Sequence, residues 1–197
     1  MHKTFKQWAL AAAALMLSGC AGTDFVRPDA SSLVNGQTTF AQLRASMGAP
    51  WREGTVLKNE KTLKIASYAY ASTGGQPRHP GVTPARAISL YFYDDTLVGH
   101  EFVSSWAEDH TDFDEGKVKD VVKGKTTRAE LTQLLGKPSG YYIYPMIKAT
   151  TGEAAAYVYS ETSGSVFNLK IFRKRLVVTF DAAGVASDVE FTSSGTR

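Results

Sequence analysis

The sequence is poor in cysteine and in long apolar runs. Its 197 residues include one cysteine, Cys20, so no disulfide can form within one chain. The apolar run from Trp8 to Leu17 is too short to cross a bilayer as a helix. The motifs of common hydrolase, nucleotide-binding and zinc-protease sites are absent. We therefore expect no catalytic residues, no metal site, no cofactor and no enzyme, although residues distant in sequence can still assemble a catalytic site.

The first twenty residues have the pattern of an export signal. A basic start precedes the apolar run, and Leu17-Ser18-Gly19-Cys20 follows it. This tetrapeptide resembles the bacterial lipobox, L-[A/S/T]-[G/A]-C. The resemblance implies that residues 1–19 are a lipoprotein signal peptide, that Cys20 is acylated, and that residues 20–24 form the lipidated N-terminus and tether. An ordinary secretory signal with an incidental cysteine is the alternative.

The predicted acyl chains would hold the protein on a membrane, since several chains anchor stably where one does not. In enteric-type lipoproteins, an aspartate directly after the lipidated cysteine goes with retention in the inner membrane. This chain has Ala21 at that position. By that analogy we expect an outer-membrane protein that faces the periplasm and contacts membrane lipid through the acylated Cys20.

The charge balance gives no indication of nucleic-acid binding. The chain has 22 basic and 19 acidic residues, a net charge of +3. Loss of Lys3 and Lys6 with the signal peptide leaves 20 minus 19, or +1. Nucleic-acid binding requires a clustered basic face, which this composition does not predict.

One motif occurs twice, and it predicts a short helix with defined ends. The pattern G-x-T-T-x-A-x-L-x-x-x-[M/L]-G-x-P covers Gly36–Pro50 and Gly124–Pro138, 88 positions apart. In each copy a threonine precedes Gln or Glu by three residues, which is capping-box spacing. The glycine and the proline near the end stop the helix. A constant offset of this kind indicates two copies of one structural unit.

The segments after each motif alternate apolar and polar residues as antiparallel strands do. Leu90 and Phe92 are expected to face the helices, whereas Tyr91 and Tyr93 point to the other side of the sheet. Before each motif, the spacing of Val118, Val121 and Val122 and of their counterparts predicts an additional helix.

Together these elements resemble the SmpA/OmlA (BamE) lipoprotein domain, in which two helices pack on a three-stranded antiparallel sheet. Members of that family assist the assembly of β-barrel proteins. Two such units in tandem also resemble the β-lactamase-inhibitor protein fold, which binds through a concave sheet. The resemblance implies an α+β fold of two tandem units, each with two short helices on a three- to four-stranded antiparallel sheet. The units are residues 25–106 and 113–194, with a linker at 107–112.

The expected function is binding. We predict a lipid-anchored envelope lipoprotein that binds or scaffolds an envelope protein partner, in outer-membrane protein assembly or envelope integrity. The alternative is a periplasmic protein inhibitor or ligand-binding module that uses the exposed sheet face. Tyrosine is enriched where proteins bind proteins, so Tyr68, Tyr70, Tyr91 and Tyr93 are the candidate partner-binding residues. Their alternative role is in an ordinary core or sheet face.

Two charged clusters each allow two interpretations. The segment from Trp106 to Glu115 contains His110 and several carboxylates, which suit a divalent cation or a solvated linker. The basic cluster formed by Lys170, Arg173, Lys174 and Arg175 suits anionic lipid headgroups or a solvated strand end.

Overall fold

The computed structural model describes residues 22–165 and 167–197. The predicted signal peptide and the predicted acylation of Cys20 lie outside the described residues. Within these described residues there are two α-helices, α1 at Phe40–Met47 and α2 at Arg128–Leu135, together with short 3-10 helices at Ala30–Ser32 and Glu115–Asp120. In the described part of the chain, no helix is long and apolar enough to cross a membrane.

Eight strands form one antiparallel sheet that curves into a half-barrel, and their order in space is their order in sequence. They are β1 Arg52–Lys58, β2 Lys61–Ala71, β3 Ala85–Tyr93, β4 Thr96–Ser104, β5 Gly140–Tyr142, β6 Glu153–Ser165, β7 Asn168–Phe180 and β8 Ala186–Gly195. The short strand β5 joins the two halves, because it pairs with β4 on one side and with β6 on the other.

The predicted fold class is therefore wrong in two respects. The chain forms one continuous sheet, not two units that each carry a sheet of their own. The first helix of each predicted pair is absent as an α-helix: a single 3-10 turn stands at Ala30–Ser32, and a 3-10 segment at Glu115–Asp120 ends before Val121 and Val122. Val121 has extended backbone angles, which fits the low helix propensity of valine.

The two helices begin and end as the motif predicts. Thr39 and Thr127 each accept a hydrogen bond from the third helical amide, and Gln42 and Glu130 accept one from the capping residue in return. At the other end, Gly48 and Gly136 have φ of 78° and 83°, a conformation that favours glycine. Both capping boxes are confirmed.

The same tertiary hydrogen bond fixes each helix to the sheet. The Tyr68 hydroxyl donates to the carbonyl of Gly48, and the Tyr157 hydroxyl donates to the carbonyl of Gly136, both at 2.9 Å. Isolated helices of two turns are unstable in water, so this attachment and the packing beneath it hold them.

The helix-covered face of the sheet holds two apolar cores. The first packs α1 on β2–β4 and includes Leu43, Leu90 and Phe92. The second packs α2 on β6–β8 and includes Val178 and Phe180. The predicted inward direction of Leu90 and Phe92 is confirmed. Tyr91, one position along, packs with a third cluster on the opposite face.

The long connection between β2 and β3 bridges the two halves above the short strand β5. Val82 pairs with Ser163 of β6, and the Thr83 amide donates to the Thr162 carbonyl at 2.9 Å. The N-terminal segment adds a second bridge on the helix-covered face. Arg27 donates to the carbonyls of Pro138 and Ser139 just before β5.

A buried histidine lies near that bridge and makes stability depend on pH. His100 on β4 is 6% exposed, beside Tyr141 and Arg27. Burial, with the charge of Arg27 in addition, lowers the pKa of His100 to about 4. His100 therefore binds a proton below pH 6.5 in the unfolded chain, its ordinary pKa, whereas in the folded chain it binds one only below about pH 4.

We expect the free energy of unfolding to fall by about 3 kcal/mol between pH 6.5 and pH 4 because of His100 alone. His100→Phe removes the titrating group and should flatten that part of the profile. Urea unfolding at a series of pH values measures the slope. An identical slope in both proteins would contradict the burial of a neutral His100.

Candidate functional site

The face of the sheet opposite the helices forms an open cleft of about 740 Å³. Residues of β1–β4, β6 and β7 and of the loop after β5 line it. Its centre carries small side chains of β2 and β3, among them Ala69, Ala87 and Ser89. Larger side chains border it, including Trp51 and Met146. Side chains of a strand alternate between faces, so the packing that buries Leu90 and Phe92 leaves this second face uncovered.

A polar cluster lies within the cleft, close to the junction of the two halves. Glu101 of β4 accepts hydrogen bonds from Tyr142 of β5 and from Arg175 Nε of β7, the latter at 3.3 Å. Arg175 Nη2 also donates to the Tyr142 hydroxyl at 3.2 Å. The Tyr91 hydroxyl lies 3.5 Å from the second carboxylate oxygen of Glu101. Four strands thus contribute one side chain each to a single hydrogen-bonded group.

The electrostatics of the cluster favour binding over proton transfer. Burial, and next the negative charge of Glu101, raise the pKa of Tyr91, so its hydroxyl stays protonated at neutral pH. Glu101 is compensated by Arg175 and by phenol donors. Among the described residues that line the cleft there is no histidine or cysteine. The cluster offers fixed hydrogen-bond donors and acceptors on a surface lined by both apolar and polar side chains.

The four predicted partner-binding tyrosines lie in different places. Tyr91 lies in the cleft and contacts Tyr142. Tyr93 lies at the end of β3, with the Lys61 ammonium 5.8 Å from its ring centre. Tyr70 borders the cleft, and its ring stacks on Trp106 at 6.0 Å. Tyr68 is 6% exposed in the first core, where it holds α1.

Sequence reasoning did not bring the other members of the cluster together, although it selected Arg175 as part of a basic cluster. Tyr142, Glu101 and Arg175 are separated by 41 and 74 positions along the chain. No local pattern indicates that such distant residues meet, because the meeting depends on the pairing of β4 with β5. The sequence showed only that a basic residue, Arg175, and an aromatic residue, Tyr142, lie in segments that can form strands.

The acidic segment after β4 is occupied by internal ion pairs. Asp112 accepts from His79 and from Lys174, both at 2.7 Å, and Arg86 binds Glu108 at 2.8 Å and Asp109 at 3.4 Å. Across residues 22–165 and 167–197, no group of three or more histidine, cysteine or acidic side chains is arranged to hold a metal ion.

The structure also divides the predicted basic cluster. Lys174 is buried against Asp112, and Arg175 binds Glu101 in the cleft. Lys170 and Arg173 are exposed. The four residues therefore do not act as one patch.

No family model, no curated protein and no solved structure matches this chain. The function must therefore be argued from the cleft and from the sequence.

Proposed function

We propose that this protein is a lipid-anchored envelope lipoprotein that binds a segment of a partner protein in the cleft. The observation that carries the proposal is the uncovered cleft itself, with its fixed polar cluster between Tyr91 and Arg175. The lipobox-like sequence at Cys20 supports the anchor. Outer-membrane protein assembly or envelope integrity is the setting that the family resemblance suggests.

The shape of the cleft suits a polypeptide. It crosses strands from both halves of the sheet, from Val56 of β1 to Arg175 of β7, and it is open to solvent along that path. Small side chains in its centre allow a close approach, and the aromatic ring of Trp51 provides contact area at its edge. The polar cluster supplies hydrogen-bond partners for main-chain amides and carbonyls of the bound segment, and these hydrogen bonds fix the orientation of that segment.

The proposal is of binding rather than of catalysis. The Glu101 carboxylate is hydrogen-bonded to Tyr142 and Arg175, and so is not poised as a base. The cleft side chains present no nucleophile with an adjacent general base in the part of the chain that the structure describes.

Trp51→Ala tests the cleft without endangering the fold. Trp51 is 68% exposed and lines the cleft, so its removal should leave stability unchanged and reduce recovery of the partner about tenfold or more, as expected for an exposed aromatic anchor. Leu57→Ala is the matched control, since Leu57 is 69% exposed on β1 and is not among the cleft-lining residues.

Recovery is measured by co-purification from membranes extracted with mild detergent, followed by mass spectrometry of the bound proteins. Equal recovery with Trp51→Ala and Leu57→Ala would remove the cleft from consideration. Absence of any stable partner with the unmodified chain would contradict the binding role.

A small ligand is the second candidate, favoured by the size of the cleft. A volume of about 740 Å³ lies within the range of small-molecule sites. Such a ligand would combine an apolar body with a group that hydrogen-bonds Tyr91 or Arg175. Native mass spectrometry of the protein isolated from membranes distinguishes the two, since a small ligand adds a discrete mass that Trp51→Ala removes.

A further inference from the structure

The hairpin of β6 and β7 projects beyond the rest of the sheet. Its last two residue pairs are Gly164 with Leu169 and Ser165 with Asn168. On one side, β8 pairs only as far as Phe172, and the last main-chain hydrogen bond among the described residues runs from the Thr196 amide to the Ile171 carbonyl at 3.2 Å. The described residues at the end of the hairpin, 164–165 and 167–171, are called the hairpin tip.

The hairpin tip exposes large apolar side chains. Phe167 is 97% exposed, Leu169 is 59% exposed and Ile171 is 54% exposed. Single exposed apolar residues are common on protein surfaces, but three within five positions of one projecting hairpin form a continuous patch. Leu169 and Ile171 lie on the same face of β7, because side chains two positions apart point the same way.

The segment that contains the hairpin tip carries charges of one sign only. Between Thr162 and Phe180 the sequence contains no aspartate and no glutamate. Lys170 and Arg173 are exposed on β7, and Lys170 Nζ lies 3.3 Å from the main-chain oxygen of Arg197. An apolar end with basic residues behind it is the pattern of segments that enter the interface of an anionic bilayer.

The N-terminal segment leaves the fold at the same end of the sheet. Gly22 pairs with Tyr70, next to the end of β2. The connection that follows β2 reaches β6 through the pair Val82 and Ser163, just before the hairpin tip. The predicted anchor at Cys20 is two positions before Gly22. A bilayer that holds the anchor is therefore at the end of the molecule from which the hairpin tip projects.

We infer that the hairpin tip is a membrane-binding site, in which Phe167 and Leu169 enter the interface of an anionic phospholipid bilayer while Lys170 and Arg173 contact the headgroups. The inference rests on the acyl anchor of the proposed function. Arg173 also lines the cleft, whereas Phe167, Leu169 and Lys170 do not. Binding of the hairpin tip orients the protein so that the cleft lies beside the bilayer and is open to the periplasm.

The experiment uses the full acylated chain in vesicles of phosphatidylethanolamine and phosphatidylglycerol, with lipids brominated on the acyl chains as quenchers. Phe167→Trp places a fluorescent probe at the hairpin tip. Leu57→Trp is the matched control, because Leu57 is similarly exposed and lies beside the turn at the opposite end of the sheet. The emission of the unmodified chain is subtracted from both.

For Phe167→Trp we expect emission at shorter wavelengths and strong quenching by brominated lipid, and for Leu57→Trp we expect neither. Equal quenching of the two probes would overturn the inference, and so would an unquenched Phe167→Trp, the result expected if a protein rather than a bilayer covers the hairpin tip. The fraction of protein that floats with the vesicles reports the anchor separately, so failure of the anchor is distinguishable.

The charged residues are tested by Lys170→Ser and Arg173→Ser in the Phe167→Trp protein. Each removed charge should reduce the ratio of inserted to free hairpin about fivefold, and replacement of phosphatidylglycerol by phosphatidylcholine should act in the same direction. Quenching that depends on neither charge nor lipid composition would overturn the role of anionic lipid.

Discussion

Gly140→Ala is expected to reduce the free energy of unfolding by about 4 kcal/mol. Gly140 is the first residue of β5 and pairs with Glu101 on one side and with Ala156 on the other. A methyl group there would lie closer than 3.0 Å to the main-chain carbonyl of His100, which cannot move without breaking the ladder. The substitution therefore disrupts β5, the short strand that joins the two halves of the sheet.

The matched control for that substitution is Gly54→Ala. Gly54 lies in β1, and a methyl group there meets nothing within 4 Å. We expect its stability to change by no more than about 0.5 kcal/mol. Urea unfolding followed by circular dichroism measures both proteins. If Gly140→Ala were as stable as Gly54→Ala, the pairing of β4 with β5 would be wrong.

Asp112→Ala should have a similarly large effect, a loss of about 3–5 kcal/mol. Asp112 lies 2.7 Å from the ammonium of Lys174, which is 3% exposed, and 2.7 Å from His79. Removal of the carboxylate leaves the Lys174 charge buried without its partner. Arg197, 3.7 Å from the same carboxylate, loses a contact as well. Asp188→Ala is the control, because its pair with Lys123 is exposed to solvent and contributes little.

The same carboxylate predicts a loss of stability in acid. Burial alone would raise the pKa of Asp112, but the hydrogen bonds from Lys174 and His79 and the nearby positive charges hold it below its ordinary value of 3.8. A lowered pKa stabilises the fold above pH 3.8, and that contribution disappears as the pH falls through the lowered value.

If Asp112→Ala and Asp188→Ala lost the same stability, Lys174 would not depend on this ion pair.

Sequence reasoning succeeded where the signal is local. The capping boxes of Thr39 and Thr127 involve residues three positions apart, and the alternation of Leu90, Tyr91 and Phe92 is a property of one strand. The turn at Asp94 and Asp95, with positive φ at both residues, is likewise formed by adjacent residues. These features depend on neighbours along the chain, so a pattern in the sequence specifies them.

Sequence reasoning failed for the helix predicted before each motif and for the features that depend on distant contacts. Val118, Val121 and Val122 have helical spacing, yet the Val122 amide binds the Thr126 hydroxyl at 2.8 Å instead of continuing a helix. The joining of the two halves requires β5, whose three residues carry no alternation to read. The polar cluster in the cleft follows from that joining, so Glu101 and Arg175 could not be paired in advance.

The proposed role of the cleft accounts for several features that the fold does not need. A sheet that packs helices on one face requires only that face to be apolar. Here the second face also carries an ordered polar cluster, the exposed Trp51 and the half-buried Met146. The hairpin tip, by contrast, contributes no described residue to the lining of the cleft.

Site-specific photocrosslinking in intact cells tests the binding role of the cleft most directly. A photoreactive amino acid is placed at Trp51 or Ser160, which line the cleft, and at Leu57 or Thr62, which do not. We predict that the two cleft positions give the same discrete adduct and that the two control positions give none. Adducts from Leu57 and Thr62 with none from Trp51 and Ser160 would contradict the binding role of the cleft.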